Sequence, residues 1–412
     1  MKNSIFVQIA SYRDPELLPT LRDLIKNAKY PKNLKICIAW QHNLSDEWDN
    51  LDEFKNDDRF EIIDIKHDES KGCCWARYCI SQKYSGEKYT LQIDSHERFV
   101  QNWDVKLIKM YNKLKKEGNK KPLITGYIPS YVPKDNPKDR SDKIWSTHFW
   151  TFTPKGGVTI VPHTHENNPK NPLPARFYAA GFAFASGKFC EEVPHDPCMY
   201  YLGEETSITV RAFTNGYDLF YANEVIAWHY YTRVDGEIKH WDDHKDWVKA
   251  DKASQLRMRQ ILGTGGISCL PCIQHGFGIF GLGNERTLED YEEYSGIKFQ
   301  TMRVRKSALD NEIPTHGKKE EVYLPKTRLE IHLNSNDFTH DDYSFVGIFL
   351  HDVNGKELYR KDEDGKWFMG LMEKDKTFKI DVDADVDMPH KWIVWAFSKK
   401  DHWAEMKECI LE

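Results

Sequence analysis

Short apolar runs alternate with helix-like patterns along the first two thirds of the chain. In the helix-like segments, apolar residues recur every three or four positions, which is the spacing of one helix face. Parallel strands need helical crossovers, so this alternation predicts an α/β fold with a mostly parallel sheet and helices on its faces. The predicted strands are residues 5–10, 34–40, 60–65, 89–93, 123–127, 177–187, 218–221 and 225–228, and the predicted helices are 15–28, 72–84, 104–116, 203–215 and 241–259.

Residues 129–174 interrupt this alternation. They are rich in Pro, Asn, Asp and Lys, with aromatic islands around Trp145 and Trp150. Long irregular segments in compact domains are often functional loops, so we expect a flexible cover over the site. Within it, His163 and His165 are interpreted as two exposed loop histidines rather than metal ligands.

From about residue 318 the pattern changes to short strands with turn signals such as Asn354-Gly355 and Asp362–Gly365. This spacing predicts a smaller, antiparallel β-sandwich domain. We therefore divide the chain into a larger α/β domain, residues 1–317, and an accessory domain, residues 318–412. Four aromatic residues of the accessory domain are candidates either for stacking on sugars or for its core: Trp367, Phe368, Trp392 and Trp395.

Composition narrows the possible classes of protein. The 412 residues carry a formal net charge of −6, which argues against a nucleic-acid-binding protein. No apolar run approaches the roughly 18 residues of a transmembrane helix, and the first residues do not form a signal peptide. Nine scattered cysteines indicate a reducing, cytoplasmic setting. Cys269 and Cys272, spaced as half a zinc site, lack a second pair and are interpreted as ordinary loop thiols.

The most informative segment is the strand at 89–93, which runs directly into Asp94-Ser95-His96. Open α/β sheets bind their ligands at the carboxyl ends of the strands. Asp94 and His96 are two residues apart and can face one metal ion if the chain turns there. The alternative is that Asp94 only caps the following turn.

Other candidate residues lie at the ends of predicted elements. Glu204 and Glu205 open a helix, where the helix dipole alone favours carboxylates. His229 ends a strand and is by itself either a ligand or a buried core histidine. Gly181 lies in a small-residue segment that lets a substrate approach the backbone closely. The chain contains neither the glycine-rich motif of dinucleotide-binding folds nor a P-loop.

Taken together, the order of these motifs resembles the GT-A glycosyltransferases, in which Asp-x-Asp or Asp-x-His holds a divalent metal on the diphosphate of a nucleotide sugar. Over roughly residues 1–300 the chain is similar to the N-acetylglucosaminyltransferases of glycosyltransferase family 60, whose known members modify hydroxyproline on a cytoplasmic ubiquitin-ligase adaptor. Asp-Ser-His also resembles the metal motif of the polypeptide N-acetylgalactosaminyltransferases. The segments that carry the resemblance are Ala10–Pro15, Ala76–Tyr78, Leu91–His96 and Phe277–Thr287.

The resemblance implies a GT-A, Rossmann-like nucleotide-sugar-binding domain and a role for each candidate residue. The metal, Mn²⁺ or another divalent cation, is expected on Asp94, His96 and His229. Glu204 or Glu205 is expected near the hydroxyls of the acceptor and the donor sugar. The expected contacts to the nucleotide sugar are Ser11, Tyr12, Arg13, Arg77, Asp94, Ser95 and Gly181.

The implied activity is metal-dependent, retaining transfer of a sugar, first of all N-acetylglucosamine, from a UDP-sugar to a hydroxyl of a protein or a glycan. An alternative is a catalytically inactive GT-A protein that binds carbohydrate or acts as an adaptor. The aromatic content of 13% and the predicted sandwich fit that alternative. A metal phosphohydrolase is disfavoured, because the sequence contains no second carboxylate-rich cluster.

Overall fold

The computed structural model describes residues 3–153, 155–232, 237–265, 277–317 and 321–411. Contacts divide the chain into two compact units, each assembled from separate segments. The first unit comprises Met1–Phe149, Ile160–Ser295 and Asn311–Lys319, and the second comprises Trp150–Thr159, Gly296–Asp310 and Glu320–Glu412. Within the described ranges, no helix combines the length and the apolar character needed to cross a membrane.

Twelve strands and eight helices lie between residues 5 and 295 of the described chain. The strands are β1 (Ile5–Tyr12), β2 (Leu34–His42), β3 (Phe60–Lys66), β4 (Tyr89–Asp94), β5 (Glu97–Phe99), β6 (Pro122–Thr125), β7 (Trp145–Phe152), β8 (Val158–Thr164), β9 (Leu173–Pro174), β10 (Phe182–Ser186), β11 (Asp218–Tyr221) and β12 (Ala227–His229). The helices are α1 (Leu17–Asn27), α2 (Cys73–Ser81), α3 (Trp103–Lys116), α4 (Phe189–Glu192), α5 (Glu204–Thr214), α6 (His240–Asp243), α7 (Trp247–Ile261) and α8 (Leu288–Ser295).

An eight-stranded sheet with the order β3-β2-β1-β4-β10-β6-β11-β9 organises the first unit. The predicted α/β class is confirmed, and β1 to β4 pair in parallel. The sheet as a whole is mixed rather than mostly parallel, because β10 runs antiparallel to both of its neighbours. Since β10 runs in the opposite direction to β4, its first residue lies beside the carboxyl end of β4, with Phe182 paired to Ile93.

The central strands are buried because helices cover both faces of the sheet. Leu21 of α1 and Leu107 of α3 pack with Val7 of β1 in one hydrophobic cluster. On the opposite face, Ala76 of α2 packs with Phe6 of β1. Burial on both faces explains why these strands appear in the sequence as continuous apolar runs.

Several sequence predictions about local structure are wrong, and the helix predicted at 241–259 is divided into α6 and α7. The strand predicted at 177–187 covers only Phe182–Ser186, since Gly181 lies in a turn before it. The irregular segment predicted at 129–174 contains β7 and β8, which pair with each other, and His163 lies in β8. Both strands are rich in β-branched and aromatic residues, but the Pro, Asn and Asp around them dominate the composition of the segment.

The second unit contains antiparallel sheets. Its elements are β13 (Ile297–Lys298), β14 (Arg303–Arg305), α9 (Lys306–Leu309), β15 (Tyr323–Pro325), β16 (Thr327–Asn334), β17 (Tyr343–His351), β18 (Glu357–Asp364), α10 (Gly365–Lys374), β19 (Thr377–Ala384), β20 (Lys391–Ser398) and β21 (His402–Ile410). Buried residues of the pair β16–β19 and of the sheet β18-β17-β20-β21 form one hydrophobic cluster.

The expected turn at Asp362–Gly365 is instead the end of β18 and the start of α10. The Asp364 carboxylate accepts hydrogen bonds from two backbone N–H groups of the first helical turn, a typical N-cap. Of the four candidate aromatic residues, Phe368 is buried in the cluster and Trp392 packs against it. The Trp395 ring lies 4.7 Å from that of Trp403, and Trp367 is 41% exposed.

Candidate active site

Three potential metal ligands meet at the carboxyl edge of β4. Asp94 is the last residue of that strand, His96 follows in the next turn, and His229 ends β12. β12 pairs antiparallel with β5, which places His229 opposite Glu97. One ligand atom from each of Asp94, His96 and His229 lies within 4.8 Å of the others. The three residues therefore form one candidate metal site.

The two carboxylate oxygens of Asp94 have different neighbours. Oδ1 accepts a hydrogen bond from Nη2 of Arg77 at 2.7 Å, and Oδ2 lies 3.1 Å from Nε2 of His229. Burial by itself raises the pKa of Asp94, but the hydrogen bond with His229 and the charge of Arg77 outweigh it, so the pKa falls below its ordinary value. Asp94 is therefore an anion whose Oδ2 is available to a cation.

His96 is oriented by Asp14, a buried residue between β1 and α1. Its Nδ1 lies 2.7 Å from Oδ2 of Asp14, and the Ser95 hydroxyl donates to the same oxygen at 2.6 Å. A carboxylate at Nδ1 selects the tautomer with its proton there and leaves the lone pair of Nε2 available to a metal ion. Sequence reasoning missed this role of Asp14, although the residue lies in the segment that carries the family resemblance.

Gly181 keeps space open beside the ligand atoms. A Cβ atom at this position would lie 3.1 Å from Oδ2 of Asp94 and 3.6 Å from Nε2 of His229. An alanine would therefore crowd Oδ2 of Asp94, while its contact with His229 would be of ordinary length. The close approach results from the antiparallel β10, which starts beside the end of β4.

Arg77 of α2 connects two carboxylates. Its Nη1 donates to Oε1 of Glu204 at 2.5 Å, while its Nη2 holds Asp94. Only 5% of the Arg77 side chain is exposed. A buried guanidinium between two carboxylates fixes the relative positions of α2, β4 and α5. Arg77 therefore lies at the predicted site and is held there by Asp94 and Glu204.

Glu204 and Glu205 are adjacent but have different environments. Burial raises the pKa of Glu204, but the charge of Arg77 and a hydrogen bond with His195 reverse the shift and lower it to about 2. For Glu205, burial dominates and raises the pKa to about 7. Oε1 of Glu205 accepts the backbone N–H of Ala180 at 2.9 Å, next to Gly181. Near neutral pH, Glu205 is therefore the carboxyl group of the pair that can exchange a proton.

The nucleotide candidates lie at the end of β1, which finishes with Ser11 and Tyr12 and is followed by Arg13. In the sheet, β1 is the neighbour of β4 on the side opposite to β10. The Ser11 side chain is buried. The Tyr12 hydroxyl donates to Asp243 at 2.6 Å. The Arg13 guanidinium binds Asp46 at 2.7 Å and Asp243 at 3.0 Å. These three residues lie at the same edge of the sheet as Asp94, since Ala10 pairs with Asp94.

A second buried polar chain, which sequence reasoning also missed, supports Glu204. Nδ1 of His195 lies 2.9 Å from Oε1 of Glu204, and its Nε2 lies 2.6 Å from Oε1 of Gln92 on β4. His195 belongs to no motif that the sequence makes visible, whereas Gln92 lies in the segment Leu91–His96 that carries the family resemblance. Among the described residues, His163 and His165 belong to no cluster of three potential metal ligands. Cys269 and Cys272 lie outside the described residues.

Comparison with known proteins identifies the class to which this fold and site belong. The sequence profile of the Glycosyltransferase (GlcNAc) family matches residues 4–58 and 49–301. The chain therefore belongs to the Glycosyltransferase (GlcNAc) family. No curated protein sequence matches it significantly.

Three solved structures are among those to which the chain is similar. GalNAc-T7 with UDP, GalNAc and Mn²⁺ is 14% identical with a TM-score of 0.46, and the match covers 63% of this chain and 48% of that one. TarS from S. aureus with UDP-GlcNAc is 10% identical, with a TM-score of 0.41 and coverages of 70% and 72%. The mannosyltransferase PcManGT from Pyrobaculum calidifontis with GDP-Man and Mn²⁺ is 12% identical, with a TM-score of 0.38 and coverages of 67% and 69%.

Proposed function

We propose that the protein is a metal-dependent, retaining GT-A glycosyltransferase that transfers N-acetylglucosamine from UDP-N-acetylglucosamine to a hydroxyl group. Membership of the family supports sugar transfer. The convergence of Asp94, His96 and His229 is the observation that carries the metal dependence. The cytoplasmic location and the identity of the acceptor stay predictions.

The ligand set fits a divalent cation such as Mn²⁺, which accepts both carboxylate oxygen and imidazole nitrogen. Held by Asp94, His96 and His229, the cation would supply positive charge against the diphosphate leaving group. Arg77 holds the carboxylate of Asp94 in position, and Gly181 leaves room beside it. The chain thus positions the ligands through buried partners rather than through flexible surface groups.

For the nucleotide, we assign the segment Ser11–Arg13. Parallel pairing of β1 with β4 brings this segment to the edge where Asp94 lies. The carboxyl edge of an α/β sheet is where such folds bind their ligands. Tyr12 offers an aromatic ring and Arg13 a cation, and both side chains are already held in position by Asp243.

For the acceptor hydroxyl, we assign Glu205 rather than Glu204. Glu204 is bound by Arg77 and lies beside His195, and its low pKa keeps it ionised. The pKa of Glu205 near 7 lets it hold or release a proton at physiological pH. Its hydrogen bond to Ala180 fixes it next to Gly181.

Release of UDP from UDP-N-acetylglucosamine in the presence of Mn²⁺ tests the proposal. Removing a ligand in Asp94→Asn or His96→Ala leaves an incomplete set, so we expect metal-dependent UDP binding and UDP release each to fall by about 100-fold or more. The matched control is His163→Ala, because His163 is exposed and outside the cluster. Undiminished metal-dependent turnover in either ligand variant would refute the metal site. Mn²⁺-dependent UDP binding without any turnover in the unmodified protein would favour an inactive adaptor.

A further inference from the structure

A series of aromatic rings extends from the metal site of the first unit in the direction away from β1. The Tyr231 ring lies 4.1 Å from the imidazole of His229. The Trp145 ring stacks on Tyr231 at 5.8 Å and 22°, and the Tyr127 ring lies 5.9 Å from Tyr231 at 62°. We call Tyr127, Trp145 and Tyr231 the aromatic wall. Neither the metal ligands nor the assigned nucleotide segment uses these rings.

The aromatic wall is fixed in place by the backbone around it. The Tyr231 hydroxyl donates to the carbonyl of Ile128 at 2.9 Å. The N–H of His229 donates to the carbonyl of Pro129 at 2.9 Å, and the carbonyl of His229 accepts from Tyr131 at 3.1 Å. These bonds join residues 128–131 to the end of β12. A flat ligand would therefore meet rings that are already ordered, which reduces the entropic cost of binding.

The rings are also accessible. Tyr231 is 38% exposed, and Tyr127 and Trp145 are partly exposed. Tyr127 and Trp145 line a cleft at the carboxyl ends of β6 and β11, together with Phe182 of β10. Tyr231 contacts both Tyr127 and Trp145 and also His229, so the aromatic wall connects the cleft to the metal site. The accessible rings thus lie where a second substrate would meet the bound donor.

Carboxyl groups complement the rings. The pKa of Tyr127 is raised, first by burial and then by the charge of Glu205. The carboxyl group of Glu205 therefore lies within electrostatic range of the Tyr127 hydroxyl. Glu224 also lines the cleft, and its carboxylate is paired with Lys106. Carboxylates accept hydrogen bonds from hydroxyl groups. Because Lys106 balances the charge of Glu224, a ligand suited to this surface is uncharged, has a face of C–H groups for the rings, and carries several hydroxyl donors.

We propose that the aromatic wall is the acceptor subsite and that the acceptor is an uncharged pyranose sugar. A pyranose presents weakly positive C–H groups to the negative face of an aromatic ring, and its hydroxyls reach the carboxylates. A peptide hydroxyl offers a single donor and no comparable face. In the reaction, the acceptor oxygen bonds to the anomeric carbon of the donor sugar. The bond from that carbon to the diphosphate breaks, UDP leaves with the electron pair, and Glu205 takes up the hydroxyl proton. This inference rests on the proposed glycosyltransferase function.

The test compares Trp145→Ala, Trp145→Phe and Tyr30→Ala in the full chain with Mn²⁺ and UDP-N-acetylglucosamine. Tyr30 is a matched aromatic residue, 55% exposed. The acceptors are a panel of uncharged pyranosides and a peptide series containing serine, threonine or hydroxyproline. We expect Trp145→Ala to raise the KM for a pyranoside about 10-fold or more, Trp145→Phe to raise it less, and Tyr30→Ala to leave it unchanged. The affinity for UDP with Mn²⁺ serves as the folding control and should stay within about twofold in all three.

An unchanged KM for pyranosides in Trp145→Ala, with UDP affinity intact, would overturn the assignment of the aromatic wall. Transfer by the unmodified protein to peptides and to none of the pyranosides would overturn the sugar acceptor. Failure of the unmodified protein to release UDP under any of these conditions would instead refute the proposed function itself, so the two failures are distinguishable.

Discussion

At the scale of single residues, the metal site depends on side chains outside the Asp-x-His motif. Asp14 holds both Ser95 and His96 through one carboxylate oxygen, and it lies 80 residues before Asp94 in the chain. Its other oxygen accepts the backbone N–H of Glu16 just before α1. One buried carboxylate therefore orients a candidate metal ligand and holds the turn that precedes α1.

The substitution Asp14→Asn tests this role. Asparagine keeps an oxygen for Ser95 and His96 but lacks the charge that makes Nε2 of His96 a stronger ligand, so we expect Mn²⁺ affinity to fall by about 10-fold to 100-fold. Titration of bound Mn²⁺ by electron paramagnetic resonance measures the change. Affinity equal to that of the unmodified protein would show that Asp14 has only a structural role.

The candidate residues differ in how far sequence could place them. The spacing in the chain was enough to predict that Asp94 and His96 share a site, because the side chains of residues two positions apart in a turn stay close to each other. His229 lies 133 residues after His96, and its pairing with the same site came only from the resemblance. The links from Asp14 to His96 and from His195 to Glu204 depend on tertiary packing, which no local pattern encodes.

At the scale of elements, the start of α5 determines where Glu204 and Glu205 lie. Gly203 is the N-cap residue of that helix and has φ of +95°, a conformation that favours glycine. A Cβ atom there would lie 3.0 Å from Cβ of Met258 on α7. Gly203 thus satisfies a backbone requirement and a packing requirement at once.

We expect Gly203→Ala to lower the free energy of unfolding by roughly 2 to 3 kcal/mol, from left-handed strain and crowding together. Gly86→Ala is the matched control, because Gly86 has φ of +101° with open space around it and suffers only the strain. Urea unfolding monitored by circular dichroism gives both values. Equal losses in the two variants would show that contact with Met258 adds nothing.

Element types were largely predictable, whereas strand direction and strand ends were not. The apolar runs at β1, β2 and β4 identify buried strands. Nothing in the β10 sequence shows that it runs antiparallel, since its buried Phe and Ala residues suit either direction. β10 begins later than predicted because Gly181 lies in a turn before it. Gly181 lies against Asp94 and His229 instead of pairing in the sheet. The misjudged local structure is thus next to the functional residues.

At the scale of the whole molecule, a carboxyl group with a raised pKa makes stability depend on pH. Glu205 has a pKa of about 7 in the folded protein against an ordinary 4.5. At pH values between 4.5 and about 7, Glu205 is protonated in the folded state and ionised in the unfolded state. Stability therefore falls as pH rises through this interval, and the cost is complete above about pH 7.

Glu205→Gln removes this titration while keeping an oxygen for the N–H of Ala180. We expect the variant to be more stable than the unmodified protein by roughly 3 kcal/mol at pH 8, with the difference vanishing below about pH 4.5. Urea unfolding across this pH range, in chelator and without nucleotide, measures it. Glu117→Gln, at the exposed end of α3, is the control. A pH-independent difference would contradict the raised pKa.

The interleaved segments of the second unit have a consequence for synthesis on the ribosome. Residues 150–159 belong to that unit. Arg328 joins them to the later part of the chain, since its guanidinium donates to the carbonyl of Trp150 and its backbone N–H donates to the Thr151 hydroxyl. At ordinary translation rates, roughly 10 to 30 s separate residue 159 from residue 320. During that interval β7 and β8 can already pair with each other, but the contacts of Trp150 and Thr151 with Arg328 cannot form. A nascent chain paused between these points would thus expose this pair of strands without its later contacts, and slow codons there would lengthen that exposure to chaperones.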